Sequence, residues 1–199
     1  MPALSFTIVL HTLNILIGIL SAAILALVVH SVILIKRMEA LYPQDVKRTG
    51  HSLLFWPGVG GIVDMLLFIF LWLQAPHTGG MTKKLISYWN SLLFVTCFIF
   101  GRPFVVLIYT FVEYGHATKG QILPLSGYIT PETWTCAAAG RNNLQTARSM
   151  CTQLRAARYL LILEVVIGAI MLCLMIWIRI QLRKEEKSVK PTATPEIEA

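Results

Sequence analysis

The sequence predicts an all-α fold: a membrane-embedded antiparallel four-helix bundle with a partly helical, disulfide-clamped outer loop between helices 3 and 4. Three observations carry this. The first 35 residues contain no Asp, Glu, Lys or Arg, and three more long apolar stretches follow. Of the 199 residues, 56% are hydrophobic and 14% charged, whereas soluble domains run nearer about a quarter charged. Two cysteines, Cys136 and Cys151, sit in the one long polar connector.

A membrane span needs about 20 apolar residues to cross roughly 30 Å of hydrocarbon. The expected spans are 8–35, 53–74, 85–112 and 157–180, with an outer loop at 113–156. They form one domain, 1–182, followed by a tail, 183–199, expected to be disordered because its Pro-, Thr- and acid-containing end cannot bury a core. The first apolar run begins at Ser5 and is too long for one upright span. At about 1.5 Å per residue it extends about 46 Å, so it is expected to tilt or to lay its first turns in the interface. A cleaved signal peptide fits poorly, because a signal carries a basic leading region and no Lys or Arg precedes Lys36.

Trp and Tyr favour the membrane–water interface, and they mark the limits of three spans. Trp56 and Trp72 bracket the second. Tyr88 and Trp89 open the third, and Tyr109 and Tyr114 close it. Tyr159 and Trp177 bracket the fourth.

Orientation is not decided by basic residues. With both termini cytoplasmic, Lys83, Lys84, Arg179, Arg183, Lys184, Lys187 and Lys190 lie inside, against nine Lys or Arg outside. The cysteines break the tie. Cys97 and Cys173 lie within spans, and Cys136 and Cys151 read as a disulfide, which persists on the extracytoplasmic side. The 113–156 loop is therefore placed outside and both termini in the cytoplasm. The basic start of the tail then faces anionic inner-leaflet lipid.

Asp64, Arg102 and Glu164 are the only strong charges well within spans. A charge in the bilayer normally faces a partner or water. Counted from the outer side at about 1.5 Å per residue, they lie at depths of about 16, 15 and 8 Å. Arg102 is thus level with Asp64 and within reach of the layer of Glu164. Two readings compete: a buried ion pair or triad that fixes helix order, and a polar path for ions or protons. The other polar span residues are scattered, which favours the first.

Close packing is also expected. Gly18, Ser21, Ala22 and Ala26 recur at three- and four-residue spacing in span one. Pro57 suits a first helical turn, opening span two ahead of Gly58, Gly60 and Gly61. Pro103 is expected to kink span three.

In the outer loop, Leu144, Ala147, Cys151 and Leu154 recur as on an amphipathic helix. No Pro or Gly interrupts 141–167, so span four is expected to extend outward as one long helix. A Cys136–Cys151 bond would clamp the segment containing Trp134 onto it. Arg141, Arg148 and Arg155, with Arg158 beyond, form an expected basic outer stripe, either a solvated face or a surface for lipid phosphates or an acidic partner.

Catalytic signatures are absent: no G-x-S-x-G, H-E-x-x-H, Walker loop or dinucleotide fingerprint occurs. No cofactor or metal is expected, since structural zinc usually takes four Cys or His ligands. The formal charge of +7 does not point to nucleic acid, because the basic residues flank spans. The four spans, the short first loop, Asp64, and W-T-C…C with Glu164 downstream resemble a group of uncharacterised fungal membrane proteins, MARVEL-like in architecture. That resemblance rests mainly on 134–164. It implies cytoplasmic termini and membrane-domain organisation or trafficking, and brings no catalytic residues. The tetraspanin C-C-G motif is missing. The expectation is a non-catalytic organiser of membrane lipids or partner proteins, with self-association possible. The alternative is a small channel or transporter subunit using Asp64, Arg102 and Glu164.

Overall fold

Leu, Ile, Val and Phe populate every side of the four apolar segments, so no single stripe sets which face turns inward. A helix apolar all round is either buried or lipid-exposed. In the computed structural model these segments form four long helices with one short helix between the last two. The structure describes residues 4–37, 49–74, 83–120, 130–142 and 145–189. The helices are α1 (Leu4–Arg37), α2 (Thr49–Leu73), α3 (Lys83–Gly120), α4 (Pro131–Asn142) and α5 (Gln145–Val189). Stretches of α1, α2, α3 and α5 are long and apolar enough to cross a membrane: Ile8–Arg37, Leu53–Leu73, Ser87–His116 and Gln145–Lys184.

Helix α1 packs against α2 and α5, and α3 packs against the same two. Paired residues set the directions. Asn14 meets Met65, while Leu25 meets Gly58, so α1 and α2 run opposite ways. Phe6 lies near Trp177 and His30 near Gln153, so α1 and α5 also oppose. Phe100 meets Gly168 and Phe111 meets Arg158, which reverses α3 relative to α5.

The core is stacked in three tiers. The first gathers Leu10, Ile17, Phe68, Leu92, Ile99 and Met171 with their neighbours. The second holds Ile24, Val28, Leu54, Val106, Ala157 and Leu161. The third is small, with Leu34, Met150 and Leu154, and Trp134 packed against them.

Several boundaries differ from those read off the sequence. Helix α2 starts at Thr49, so Pro57 lies inside it rather than in its first turn. The missing N–H costs one backbone bond, and the flanking turns carry the helix through. Helix α3 continues to Gly120, into the expected loop. The tail expected to be disordered from 183 is helical to Val189; 190–199 lie outside the described residues.

The loop also holds a helix that the apolar spacing did not suggest. Thr130 and Thr133 cap α4 reciprocally: Thr133 N donates to Thr130 Oγ1 at 3.3 Å, and Thr130 N donates to Thr133 Oγ1 at 3.1 Å. This is a capping box with Thr in both places. Pro131 occupies the first helical position, where its fixed φ helps and its missing donor costs nothing.

The uninterrupted helix expected over 141–167 is not formed. Arg141 and Asn142 end α4, and α5 begins at Gln145. Cys136 and Cys151 are disulfide-bonded with Cα atoms 4.9 Å apart, so the chain must double back between them. Gly140 and Asn142, in the last turn of α4, are weak helix formers. From Gln145 onward α5 runs as one helix of 45 residues, so the helix of the fourth apolar stretch continues past it to the disulfide.

The bond closes a loop of sequence separation 15, worth about 3 kcal/mol in the chain-entropy account. Cys151→Ser is expected to remove most amide-exchange protection from α4 and to leave that of α2 and the second core tier intact. Equal loss throughout would show that the clamp holds the whole fold and not the hairpin alone.

Candidate functional site: a polar layer and a clamped cap

Helical spacing puts Gly60, Gly61 and Asp64 on one side of α2. Opposite them stand Ser21 on α1, Arg102 on α3 and Glu164 on α5. Arg102 Nη1 lies 3.2 Å from Asp64 Oδ2, and Nη2 lies 3.5 Å from Oδ1. The guanidinium carbon is 5.7 Å from the centroid of Trp56. Glu164 is not paired with Arg102. Its Oε1 lies 2.5 Å from the Ser21 hydroxyl, which is also 2.9 Å from Ile17 O. With one proton, Ser21 donates to one of these at a time. Glu164 is 1% exposed, and its Oε2 has no hydrogen-bond partner among the described residues.

The glycines make this layer possible. A Cβ on Gly60 would collide with the Arg102 guanidinium. A Cβ on Gly61 would collide with Ser21 Oγ and stand 3.0 Å from Glu164 Oε1. Depth counting brings Asp64 and Arg102 to one level; it does not find Ser21, Gly60 or Gly61, which read as general small-residue packing. The signal for them was their position level with Asp64 and Glu164 on neighbouring helices.

The layer is closed above and below. Along α5, Leu161 belongs to the second core tier and Ile167 to the first, with Glu164 between them. Along α3, Ile99 and Val106 flank Arg102 in the same way. The layer lies between two mainly apolar tiers; at the level of the first, Asn14 and Thr96 are also buried, Asn14 Nδ2 donating to Met65 O at 3.3 Å and Thr96 Oγ1 to Leu92 O at 2.8 Å.

The second group of sequence-predicted residues lies around α4. Trp134 packs on the third tier with Met150 and Leu154. The basic stripe is not one surface. Arg141 belongs to α4, and its side chain lies outside the described residues. Arg148 and Arg155 are exposed on α5, with Arg155 Nη2 4.0 Å from Cys136 Sγ. Arg158 is buried, at 6% exposure. Its Nη2 lies 3.0 Å from Glu132 Oε1, and its guanidinium carbon is 4.0 Å from the ring centroid of Tyr114 and 5.2 Å from that of Phe111. The cause is angular. Three residues beyond Arg155, Arg158 is turned by about 300°, onto the side where α3 supplies aromatic faces and α4 a carboxylate.

Burial pushes the Glu132 carboxyl above the usual carboxylate range, against the opposing pull of Arg158 and then Arg155. No group of three or more His, Cys, Asp or Glu that could hold a metal ion occurs among the described residues.

Removing one partner of a buried ion pair strands the other charge and typically costs about 3–5 kcal/mol. Arg102→Leu is therefore expected to lower folded yield and thermal stability sharply, and Gly60→Val to do the same with all charges retained. Wild-type yield and melting temperature in Arg102→Leu would refute a structural pair. For Glu132 the sign runs with protonation. A carboxyl whose folded value is raised contributes stability that is full below its unfolded pKa and is lost as pH rises through the folded value. Melting temperature in detergent is expected to fall as pH rises above the ordinary Glu value of about 4.3, and that part of the fall specific to Glu132 should disappear in Glu132→Gln.

Comparison with protein-family models, with curated proteins and with solved structures finds no match to this chain.

Proposed function

We propose that the chain crosses a bilayer four times as an antiparallel four-helix bundle and serves as a non-catalytic organiser of membrane lipids or partner proteins. The observation that carries this is the outer surface of the long helices. Ile19, Leu66, Phe94, Val105 and Ile170, one or more from each, are between 48% and 65% exposed. They belong to a larger set of exposed Ile, Leu, Val and Phe side chains on the same helices. Water-exposed apolar patches of this extent are rare on soluble monomers, and a hydrocarbon solvent removes their cost.

In this placement α4 stands on the extracytoplasmic side, where a disulfide persists. The α1 start and the α5 end, which lie at the same end of the fold, face the cytoplasm. Arg179, Arg183 and Lys184 then meet the anionic inner leaflet, at about 1 kcal/mol per basic residue near the surface. An organiser is favoured over a channel because the tiers on both sides of the polar layer are mainly apolar, with Asn14 and Thr96 the added buried polar residues on one side, and Asp64, Arg102 and Glu164 then hold helix register. The side of α4 that carries exposed Ala137 and Gly140, clamped to α5, is what such a protein would offer to a partner. This agrees with the membrane-domain role that the MARVEL-like resemblance implies.

The test is extraction from native membranes in polymer nanodiscs, with mass spectrometry of co-purifying lipid and protein. The expected result is a reproducible partner, a second copy of the chain, or an enriched lipid class. A lone monomer in lipid of bulk composition, together with ion flux that is lost in Asp64→Asn without unfolding, would replace the organiser by a channel.

A further inference from the structure

Glu164 is a titratable side chain of the polar layer that the ion pair leaves out. It is 1% exposed. The charged groups facing it are Asp64 from α2 and Arg102 from α3, and those two are paired with each other. From α1 it meets the Ser21 hydroxyl. The layer is therefore neutral without Glu164, with one carboxylate against one guanidinium. A Glu164 carboxylate would be a second anion with no cation of its own, and burying an unpaired charge is costly.

The protons around Ser21 give the same answer. Its Oγ lies 2.9 Å from Ile17 O and 2.5 Å from Glu164 Oε1, both hydrogen-bond separations. Two hydrogen bonds need two protons, and the hydroxyl has one. Ile17 O is a carbonyl and only accepts. The second proton has one source, the carboxyl, which as the acid carries an O–H donor. Ser21 then donates to Ile17 O while Glu164 donates to Ser21. The Glu164 Oε2 atom, which has no partner among the described residues, becomes a carbonyl oxygen. Leaving a neutral acceptor unpaired costs less than leaving a charged one.

The site is too close-packed for a larger ligand. A Cβ on Gly61 would collide with Ser21 Oγ and stand 3.0 Å from Glu164 Oε1. A proton needs no such space.

We infer that Glu164 is a proton-binding site, standing in the layer as the carboxylic acid and donating through Oε1 to Ser21 Oγ. The polar link between α1 and α5 is thereby held by a removable proton, whereas that between α2 and α3 is held by fixed charges. Arg102 and Glu164 lie against consecutive residues of α2, Gly60 and Gly61. Once ionised, Glu164 competes with Asp64 for the one guanidinium, so losing the proton loosens both links. This goes beyond the organiser reading and does not rest on it, because the helices themselves bury Glu164.

The test is infrared spectroscopy of the purified protein in detergent near neutral pH. Wild type minus Glu164→Gln is expected to show a carboxylic-acid C=O stretch that shifts in deuterium oxide. Ser21→Ala reads the same group independently, since losing the acceptor moves that stretch. Raising the pH should replace it by carboxylate stretches. Over the same pH range the melting temperature of wild type should fall relative to that of Glu164→Gln; Glu132 is present in both proteins and cancels. Carboxylate stretches near neutral pH in either difference spectrum overturn the inference. So does a melting-temperature difference that does not follow the loss of the acid stretch. If Glu164→Gln does not fold, the Ser21→Ala spectrum decides: a displaced acid stretch supports the site, and carboxylate stretches overturn it.

Discussion

The Asp64–Arg102 pair is the constraint around which the helices are arranged. Apolar side chains on all sides of α1, α2, α3 and α5 attract without choosing a rotation or a register. Ion pairs choose, because Arg102 can meet Asp64 at 3.2 Å in only one arrangement of α2 against α3. Ser21 and Glu164 do the same for α1 against α5. Gly61 then links the two pairs, since its missing side chain is what allows Ser21 and Glu164 to sit against α2. Four helices are thereby indexed in one layer. A buried ion pair adds little net stability over an apolar replacement of the same shape; its contribution here is specificity.

The disulfide acts at a different scale. The polar layer orders helices that are already long, whereas the Cys136–Cys151 bond determines whether a 12-residue helix has a fixed position at all. Isolated helices of that length are marginal in water. Trp134 on the third core tier and Arg158 on Glu132 complete its attachment. The small tier under α4 would be a weak core alone; with a covalent bond it becomes a docked surface, and the Glu132–Arg158 contact fixes where it docks.

Much of this was legible in the residues. The number of helices apolar enough to span follows from apolar length, and the meeting of Asp64 with Arg102 follows from counting residues in from the outer limits of the expected spans. The extension of the fourth of these helices past its apolar stretch follows from uninterrupted helix-forming sequence, and the cysteine pairing from two thiols in one polar connector. What escaped depends on neighbours distant in sequence. Arg158 reads as one more member of a basic series until Glu132 and Tyr114 are beside it. Ser21 reads as a small residue until Glu164 faces it. Helix α4 was missed for another reason: its signal lies in Thr130-Pro131-Glu132-Thr133, a capping pattern, while its apolar periodicity is weak.

The attachments of α4 have a mechanical corollary. Cys151, Met150, Leu154 and Arg158 all belong to α5, and its contacts with α3 are few beside these. The short helix is an outrigger on a single mast. That mast is 45 residues long, about 67 Å at the usual rise, roughly twice the thickness of a hydrocarbon core. Its attachments tie its bearing to that of the mast, so in the bilayer placement proposed above a change in thickness that tilts α5 would also re-aim the face that α4 presents.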